Sequence, residues 1–305
     1  MALFPRLKIA HKLPAALIGT ALTVGAAIGL VSYSISAAMM TEMTLAKLES
    51  VATERAEKVE SYLTGVAADA VRFASTDLGQ KSVMNFAVNW TQDSTGSPGE
   101  TIRNAYITMN PNSEGERDLL NISDLKFNYN FNHNSLHPGI RSEKNARGYG
   151  DVIIANPAGD VTYTVEKRDD LGTSLVSESA PYAATGLARA FRLAEASKDP
   201  TKVFFTDDLS YAPAGNKPTR FVSVPVVDKN AVFLGVIIIE LPSQELDHVV
   251  GSRNGLGKTG EAFIVGSDFK LRSNSVFTEA DDTLAAEFHT PEVDRALAGQ
   301  TAQGT

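Results

Sequence analysis

Residues 150–165 read Gly-Asp-Val-Ile-Ile-Ala-Asn-Pro-Ala-Gly-Asp-Val-Thr-Tyr-Thr-Val and predict a strand, a tight turn and a second strand. Residues 152–154 are a β-branched run, which strands favour. The turn, residues 156–160, combines the fixed φ of proline, the positive φ open to glycine, and the self-bonding side chains of asparagine and aspartate. In residues 161–165 apolar side chains alternate with threonines, so the pattern predicts one apolar face.

A similar pattern returns at residue 260, where the chain reads Gly-Glu-Ala-Phe-Ile-Val-Gly-Ser-Asp-Phe-Lys-Leu-Arg-Ser. At a constant offset, Ile154 corresponds to Ile264 and Val161 to Leu271. Two such openings in series favour two α+β modules, and the alternative is a chance likeness between two short hairpins. The chain leaves too few residues after position 260 for a module as long as the first, so the second is expected to be incomplete.

Length and composition narrow the class of protein. The chain has 305 residues, of which 43% are hydrophobic and 21% charged, as in a folded protein of about two domains. Its net charge of −8 argues against nucleic acid as a partner. It has no cysteine, which excludes disulfides, thiolate metal sites and cysteine nucleophiles.

The N-terminal region predicts a membrane anchor. No charged residue occurs between Lys12 and Glu42, and this stretch exceeds the roughly 20 apolar residues that a spanning helix needs. We predict a cytoplasmic N-terminus over residues 1–12, with Arg6 as its first positive charge, and a membrane helix over residues 13–40. The remainder then lies on the periplasmic side of the inner membrane. The alternative is a signal peptide cleaved near residues 34–38.

Residues 41–78 predict one long helix with a seven-residue apolar period. The period favours a helix–helix seam, which either joins two chains as a homodimer or packs the helix on its own domain. The pattern does not distinguish these two arrangements. The repeating positions are Leu45, Ala52, Val59, Val66 and Phe73.

The predicted fold class is α+β: a transmembrane helix, a long extracytoplasmic helix, and tandem antiparallel-sheet modules with helical cover. We divide the extracytoplasmic part into a helical and loop region at 41–145, a first module at 146–250 and the start of a second at 251–305. Further elements of the first module are helices at 186–197 and 244–250 and strands at 203–205, 221–227 and 232–241.

Two stretches resemble motifs of catalysis or cofactor binding, but each lacks a required residue. Residues 255–260 resemble a phosphate-binding loop, but Ser252 stands where a glycine is required and a strand is predicted to follow. His133 and His137 lie four apart without the glutamate of a zinc-protease helix, and Pro138 argues against a regular helix. We therefore expect no metal and no cofactor.

No nucleophile signature indicates an enzyme. Three pairs of adjacent acids occur, but neighbouring side chains on a strand point to opposite faces and do not form an acid–base pair. We read most of these pairs as solvated turns. They lie at residues 169–170, 207–208 and 281–282.

A small-molecule site is concave, with a few polar groups that fix the ligand. The arginines suit a carboxylate, because the guanidinium fork matches two oxygens, and aspartate suits an amine. Each of these residues also has the ordinary alternative of a surface or core position. The candidate ligand-binding residues are Arg141, Tyr149, Tyr163, Asp208, Tyr211 and Arg220.

The chain resembles the double-Cache sensor region of bacterial methyl-accepting chemotaxis receptors, whose modules are PAS-like. The resemblance covers nearly the whole chain and is carried by specific phrases. These are Asn-Pro-Asn-Ser-Glu-Gly-Glu-Arg from residue 110, His-Asn-Ser-Leu-His-Pro-Gly-Ile-Arg from residue 133, Gly-Tyr-Gly-Asp-Val-Ile-Ile from residue 148, Gly-Asp-Val-Thr-Tyr-Thr-Val-Glu-Lys from residue 159 and Gly-Lys-Thr-Gly-Glu-Ala-Phe-Ile-Val from residue 257.

The resemblance implies a membrane-bound chemoreceptor whose membrane-distal module binds a small ligand, often an amino acid or organic acid. Arg141 matches the arginine of the family's amino-acid motif, but no tryptophan follows it, since the only one is Trp90. The family continues with a second membrane helix and a signalling coiled coil, so contact with a cytoplasmic kinase is expected only through a further C-terminal part. Alternatives are the same sensor on a histidine kinase or nucleotide cyclase, or a stand-alone anchored binding protein.

Overall fold

The computed structural model describes residues 8–92 and 96–304. The first residues of the predicted cytoplasmic N-terminus, Arg6 among them, lie outside this range, as do residues 93–95 of the loop before the third helix.

Helix α1, Ile9–Ser75, joins the predicted membrane helix and the predicted long helix into one element of 67 residues, about 100 Å long. It is the one helix among the described residues that is long and apolar enough to cross a membrane, with a mean hydropathy of 1.9 in its most apolar window. Residues 9–44 are exposed, whereas Val66, Ala70 and Phe73 are buried. The C-terminal part of α1 therefore packs on its own domain, one of the two arrangements that the heptad row allowed.

Three α-helices, a π-helical turn and a 3-10 helix follow α1 before the sheet. Helix α2, Asp77–Thr91, is capped by Thr76, whose hydroxyl accepts a hydrogen bond from the Gly79 amide. Helix α3, Pro98–Arg103, continues as a π-helical turn, Asn104–Thr108, and a 3-10 helix follows at Glu114–Leu119. Helix α4 is Asn128–Arg147.

The doubt that Pro138 raised about this helix was wrong, because α4 runs through it without a break. Pro138 is exposed, so its ring lies outside the packed core and the helix loses only one backbone hydrogen bond.

The predicted antiparallel sheet is confirmed. Strands β1 and β2, Asp151–Ala155 and Val161–Thr164, form the hairpin of residues 150–165. Strand order is β2-β1-β6-β5-β3, with β4 also on β5, and all pairs are antiparallel. The remaining strands are β3 at Phe204–Phe205, β4 at Leu209–Tyr211, β5 at Lys217–Val227 and β6 at Phe233–Pro242.

Helices cover both faces of the sheet. Ile237 and Ile239 of β6 face the layer of α1, α2 and α4, whereas Val236 and Ile238 face helix α5, Gly186–Ser197. The expectation of one apolar face on β2 was wrong for Val161, which packs in the layer of α5, whereas Tyr163 packs in the layer of α1, α2 and α4. The hairpin shifts register between Ile154 and Ala155, which places the two side chains on opposite faces. Thr162 and Thr164 are also buried, because the hairpin lies between two helical layers. Burial on both faces explains why β6 is a continuous apolar run.

The turn of the first hairpin recurs 110 residues later. The Asn156 amide donates to the Asp160 carbonyl, and the Gly266 amide donates to the Lys270 carbonyl at the same offset. Ala155 pairs with Val161, and Val265 pairs with Leu271. The two segments share backbone geometry at the turn as well as sequence pattern, which argues against a chance likeness.

The strand predicted directly after residue 260 was wrong. Apart from helix α6, Gln244–Val250, and α7, Pro291–Leu297, the described residues beyond β6 contain only isolated bridges. Among these described residues no further strand pairs with the second hairpin, so it consists of the bridge between Val265 and Leu271 around its turn. An apolar groove of about 1110 Å³ separates this segment from α1. The boundaries of the two modules stay predictions.

Candidate functional site

A cluster of polar side chains lies between α4 and the hairpin of β1 and β2. We call it the histidine–lysine cluster: His133, His137, Tyr163 and Lys167, with Arg141 and Asp118 at its edge. Residues 109–127, between the π-helical turn and α4, lie over it and are called the cover segment.

The two histidines share one face of α4, because they are four residues apart on a continuous helix. Their rings stack at 4.4 Å between centroids and are buried. The Nδ1 atom of His133 lies 2.8 Å from the Asn121 carbonyl of the cover segment, so Nδ1 donates there. Its Nε2 atom is buried and has no hydrogen-bond partner in the described part of the chain.

Hydrogen bonds define the tautomer of His137. Its Nε2 atom lies 2.7 Å from the Asp118 carbonyl, which only accepts, so Nε2 carries the proton. Nδ1 then accepts from the Tyr163 hydroxyl at 2.6 Å. Burial and the nearby Lys167 lower the pKa of His137 to about 3, so the ring is neutral.

Lys167 is fully buried and has a positive φ of 53°. Its Nζ atom lies 3.1 Å from the Val165 carbonyl and 3.2 Å from His137 Nε2. Because Nε2 already carries a proton, it offers the ammonium no lone pair. Burial lowers the pKa of Lys167 to about 7, although the carboxylates of Asp151, Asp118 and Glu166 oppose this fall.

An intramolecular ion pair closes the edge of the cluster. Arg141 Nε donates to Asp118 Oδ2 at 2.6 Å, and both side chains are partly exposed. Asp118 therefore contacts the cluster twice, through its carboxylate at Arg141 and through its carbonyl at His137. A second pair, Lys144 with Glu166, lies on the same side of α4.

Aromatic rings form the apolar side of the cluster. Phe86 of α2 stacks on Tyr163 with 4.5 Å between centroids, and Tyr129 lies 5.3 Å from Phe86. Tyr129 donates to the Thr162 carbonyl at 2.9 Å. These contacts fix the position of the Tyr163 hydroxyl that holds His137.

We expect stability to rise with pH because of Lys167. Its pKa falls from 10.5 in the unfolded chain to about 7 in the folded one, so between these values the unfolded state binds more protons. The free energy of unfolding should increase by about 2 kcal/mol from pH 7 to pH 9 relative to Lys167→Met. Denaturant unfolding of both chains, followed by Trp90 fluorescence, measures this difference. Parallel pH profiles for the two chains would contradict the expectation.

The six candidate residues predicted from sequence do not meet in one place. Arg141 and Tyr163 belong to the histidine–lysine cluster. Asp208 and Arg220 form a buried ion pair of 2.6 Å beneath α1. Tyr211 lies in the layer of α5, where its hydroxyl donates to Asp170 Oδ2 at 2.7 Å. Tyr149 is half-buried in a cleft beside α1.

Sequence reasoning missed Asp118 and Lys167. No local signal marks Asp118, because the cover segment reads as a polar loop. The four-residue spacing of His133 and His137 was the available signal for this cluster. On a regular helix such as α4, that spacing places both side chains on one face. In the described residues no group of three histidines, cysteines or acids is arranged to hold a metal ion.

The adjacent acids behave only partly as predicted. Asp207 and Asp208 diverge, since Arg272 binds the first and Arg220 the second. The reading of these pairs as solvated turns was wrong for Asp170 and Asp208, which are buried. Each has a hydroxyl or guanidinium partner at Oδ2, whereas its Oδ1 atom has none among the described residues.

Solved structures similar to this chain are ligand-binding domains of bacterial chemoreceptors. That of Pseudomonas fluorescens CtaA, in complex with L-serine, is 14% identical, with 81% of this chain and 77% of that chain covered and a TM-score of 0.43. That of Pseudomonas aeruginosa PctC, in complex with GABA, is 14% identical, with 81% and 87% covered and a TM-score of 0.39.

The sensory domain of Campylobacter jejuni Tlp3 is 12% identical, with 81% of this chain and 83% of that chain covered and a TM-score of 0.37. No family model matches the chain, and a search of curated proteins gives no match. The ligands named here are bound by those proteins.

Proposed function

We propose that this protein is a membrane-anchored chemoreceptor whose extracytoplasmic domain binds a small carboxylate, an amino acid or an organic acid, at the histidine–lysine cluster. The phrases shared with chemotaxis receptors support the class of protein. The position of Asp118 supports the site and the kind of ligand.

Asp118 makes the two contacts that we propose a bound ligand would make. Its carboxylate binds Arg141, and its carbonyl accepts from His137. A ligand carboxylate offers the same two kinds of acceptor, one to a guanidinium and one to an imidazole N–H. Displacement of the cover segment would exchange these contacts for those of the ligand and would bring a negative charge close to Lys167.

Binding of this kind couples to the conformation of residues 109–127. A ligand shifts the equilibrium between two states only by its difference in affinity for them. Here the two states differ in whether Asp118 or the ligand carboxylate occupies Arg141. We propose that α1 transmits the change toward the membrane as a small displacement.

The test is ligand binding by the full chain in lipid nanodiscs. L-amino acids and small mono- and dicarboxylates are screened by thermal shift, and the affinity of each hit is measured by calorimetry. We expect Arg141→Gln to weaken the best hit by at least tenfold, because a charge-assisted hydrogen bond to the carboxylate is lost. Arg189→Gln, at an exposed position of α5, makes the same change of charge and should leave the affinity unchanged.

The proposal fails if no carboxylate shifts the unfolding temperature. The placement of the site fails if Arg141→Gln binds the hit as tightly as Arg189→Gln does.

The anchor and the dimer are further parts of the proposal. Continuity of α1 from Ile9 to Ser75 supports a retained inner-membrane anchor with the sensor in the periplasm. Leu45 and Ala52 lie on the heptad row where α1 is not buried, and they also line a cleft against residues 296–304 of the same chain. We propose that this row forms the homodimer seam. Because the chain lacks cysteine, Ala52→Cys tests the seam by disulfide cross-linking, with Glu57→Cys off the row as control. Equal cross-linking of the two variants would exclude this seam.

A further inference from the structure

A second polar cleft lies where α1, the end of α4 and α6 meet, away from the histidine–lysine cluster. We call it the junction cleft. Its volume of about 550 Å³ is within the range of small-molecule sites. The side chains that matter for its chemistry are Arg55, Lys58, Tyr62, Arg147, Tyr149 and His248.

Two buried donors in this cleft lack an acceptor. Arg55 is 4% exposed, and its Nε atom has no hydrogen-bond partner among residues 8–92 and 96–304. The buried Tyr149 hydroxyl has none within the same ranges. Buried donors of this kind are rare in folded proteins, and each calls for a partner. The Nη2 atom of Arg55 donates to the Ser252 carbonyl of the chain after α6 at 3.1 Å, and Nη1 donates to Glu54 Oε1 at 3.5 Å.

Among the side chains that line the cleft, three are arginine or lysine and one, Asp69, is acidic. Arg55, Lys58 and Arg147 line the cleft from α1 and α4, and His248 lines it from α6. Two carboxylates oppose them: Glu54 binds Lys58 at 2.6 Å, and Asp69 binds Arg147. A third, that of Glu245, lies at the edge beside Gly148.

From these two donors we infer that the junction cleft binds a small oxyanion, a carboxylate or a phosphate. Arg55 Nε and the Tyr149 hydroxyl each need an acceptor. An oxyanion supplies acceptor oxygens, which a cation or an apolar molecule does not. Bound there, it bridges α1 to α6 and to the end of α4. This site is independent of the proposed carboxylate site at Arg141.

The experiment measures binding of succinate and of inorganic phosphate to the full chain in nanodiscs by calorimetry, at constant ionic strength set with sodium chloride. Lys58→Gln should weaken binding at least fivefold. Lys81→Gln is the matched control, because Lys81 also binds a carboxylate four residues earlier at 2.6 Å and is equally exposed, but lies outside the cleft. Tyr149→Phe should weaken binding about threefold to tenfold, as expected for one lost hydrogen bond.

Each outcome bears on the inference. If Lys58→Gln weakens binding of succinate alone, the cleft takes a carboxylate, and if it weakens binding of phosphate alone, the cleft takes a phosphate. Weaker binding of both supports a general oxyanion site. Equal effects of Lys58→Gln and Lys81→Gln, or no binding of either probe above chloride, would overturn it. Arg141→Gln should leave binding in this cleft unchanged, so failure here is separable from failure of the proposed function.

Discussion

Replacing Arg220 by methionine is expected to lower the free energy of unfolding by about 3–5 kcal/mol. Arg220 is the ion-pair partner of Asp208, whose side chain is 1% exposed beneath α1. Burial already raises the pKa of Asp208 although Arg220 opposes this. Removing the guanidinium leaves a buried carboxylate without its counter-charge. Denaturant unfolding of the full chain in detergent, followed by Trp90 fluorescence, measures the loss.

The loss of unfolding free energy in Arg220→Met should become smaller as the pH falls. Without Arg220 the pKa of Asp208 rises further, and a group whose folded pKa is raised stabilises the fold as it takes up a proton. The double variant Asp208→Asn/Arg220→Met should recover much of the loss, because no unpaired charge remains. Arg189→Met, at an exposed position, is the control for removing an arginine. A deficit that is independent of pH and persists in the double variant would point to lost packing instead.

Replacing Phe86 by alanine is expected to cost about 3–5 kcal/mol, which is a large part of the stability of a typical domain. Phe86 is fully buried and touches both Tyr129 and Tyr163. The variant loses apolar burial and leaves a cavity behind Tyr163, whose hydroxyl holds His137. Carboxylate binding at the histidine–lysine cluster should weaken together with stability.

Phe131→Ala is the matched control, because Phe131 is also helical but 74% exposed. Its effect should stay within about 0.5 kcal/mol. The same unfolding experiment compares the two variants. Similar losses at both positions would show that Phe86 is not part of a packed core.

Sequence reasoning predicted local elements best. Helices at 186–197 and 244–250 have the bounds that were predicted, because apolar spacing and flanking residues act within a few positions. The hairpin followed from its turn chemistry. Strand β4 was missed and β5 begins earlier than predicted, because their pairing is with each other and leaves no strong mark on either stretch alone.

The candidate site was predicted only in part. Arg141 and Tyr163 do belong to one cluster, but Tyr211 has its partner on the other face of the sheet. The type of a residue indicates which ligand its side chain suits. Which other side chains lie beside it depends on the order of the strands in the sheet. Asp118 and Lys167 meet only at His137, where the cover segment and the end of the hairpin pack against α4.

The amino-acid sequence by itself determined the apolar helix at the N-terminus, the repeated turn, the antiparallel strands and the exclusion of cysteine chemistry. These follow from composition, period and turn residues, which act over short distances along the chain. The tertiary structure alone decided that both faces of β2 are buried, that α1 packs on its own domain, and that Asp118 reaches Arg141. Those contacts join residues far apart in sequence, and their free energy depends on burial and on partners that no local pattern records.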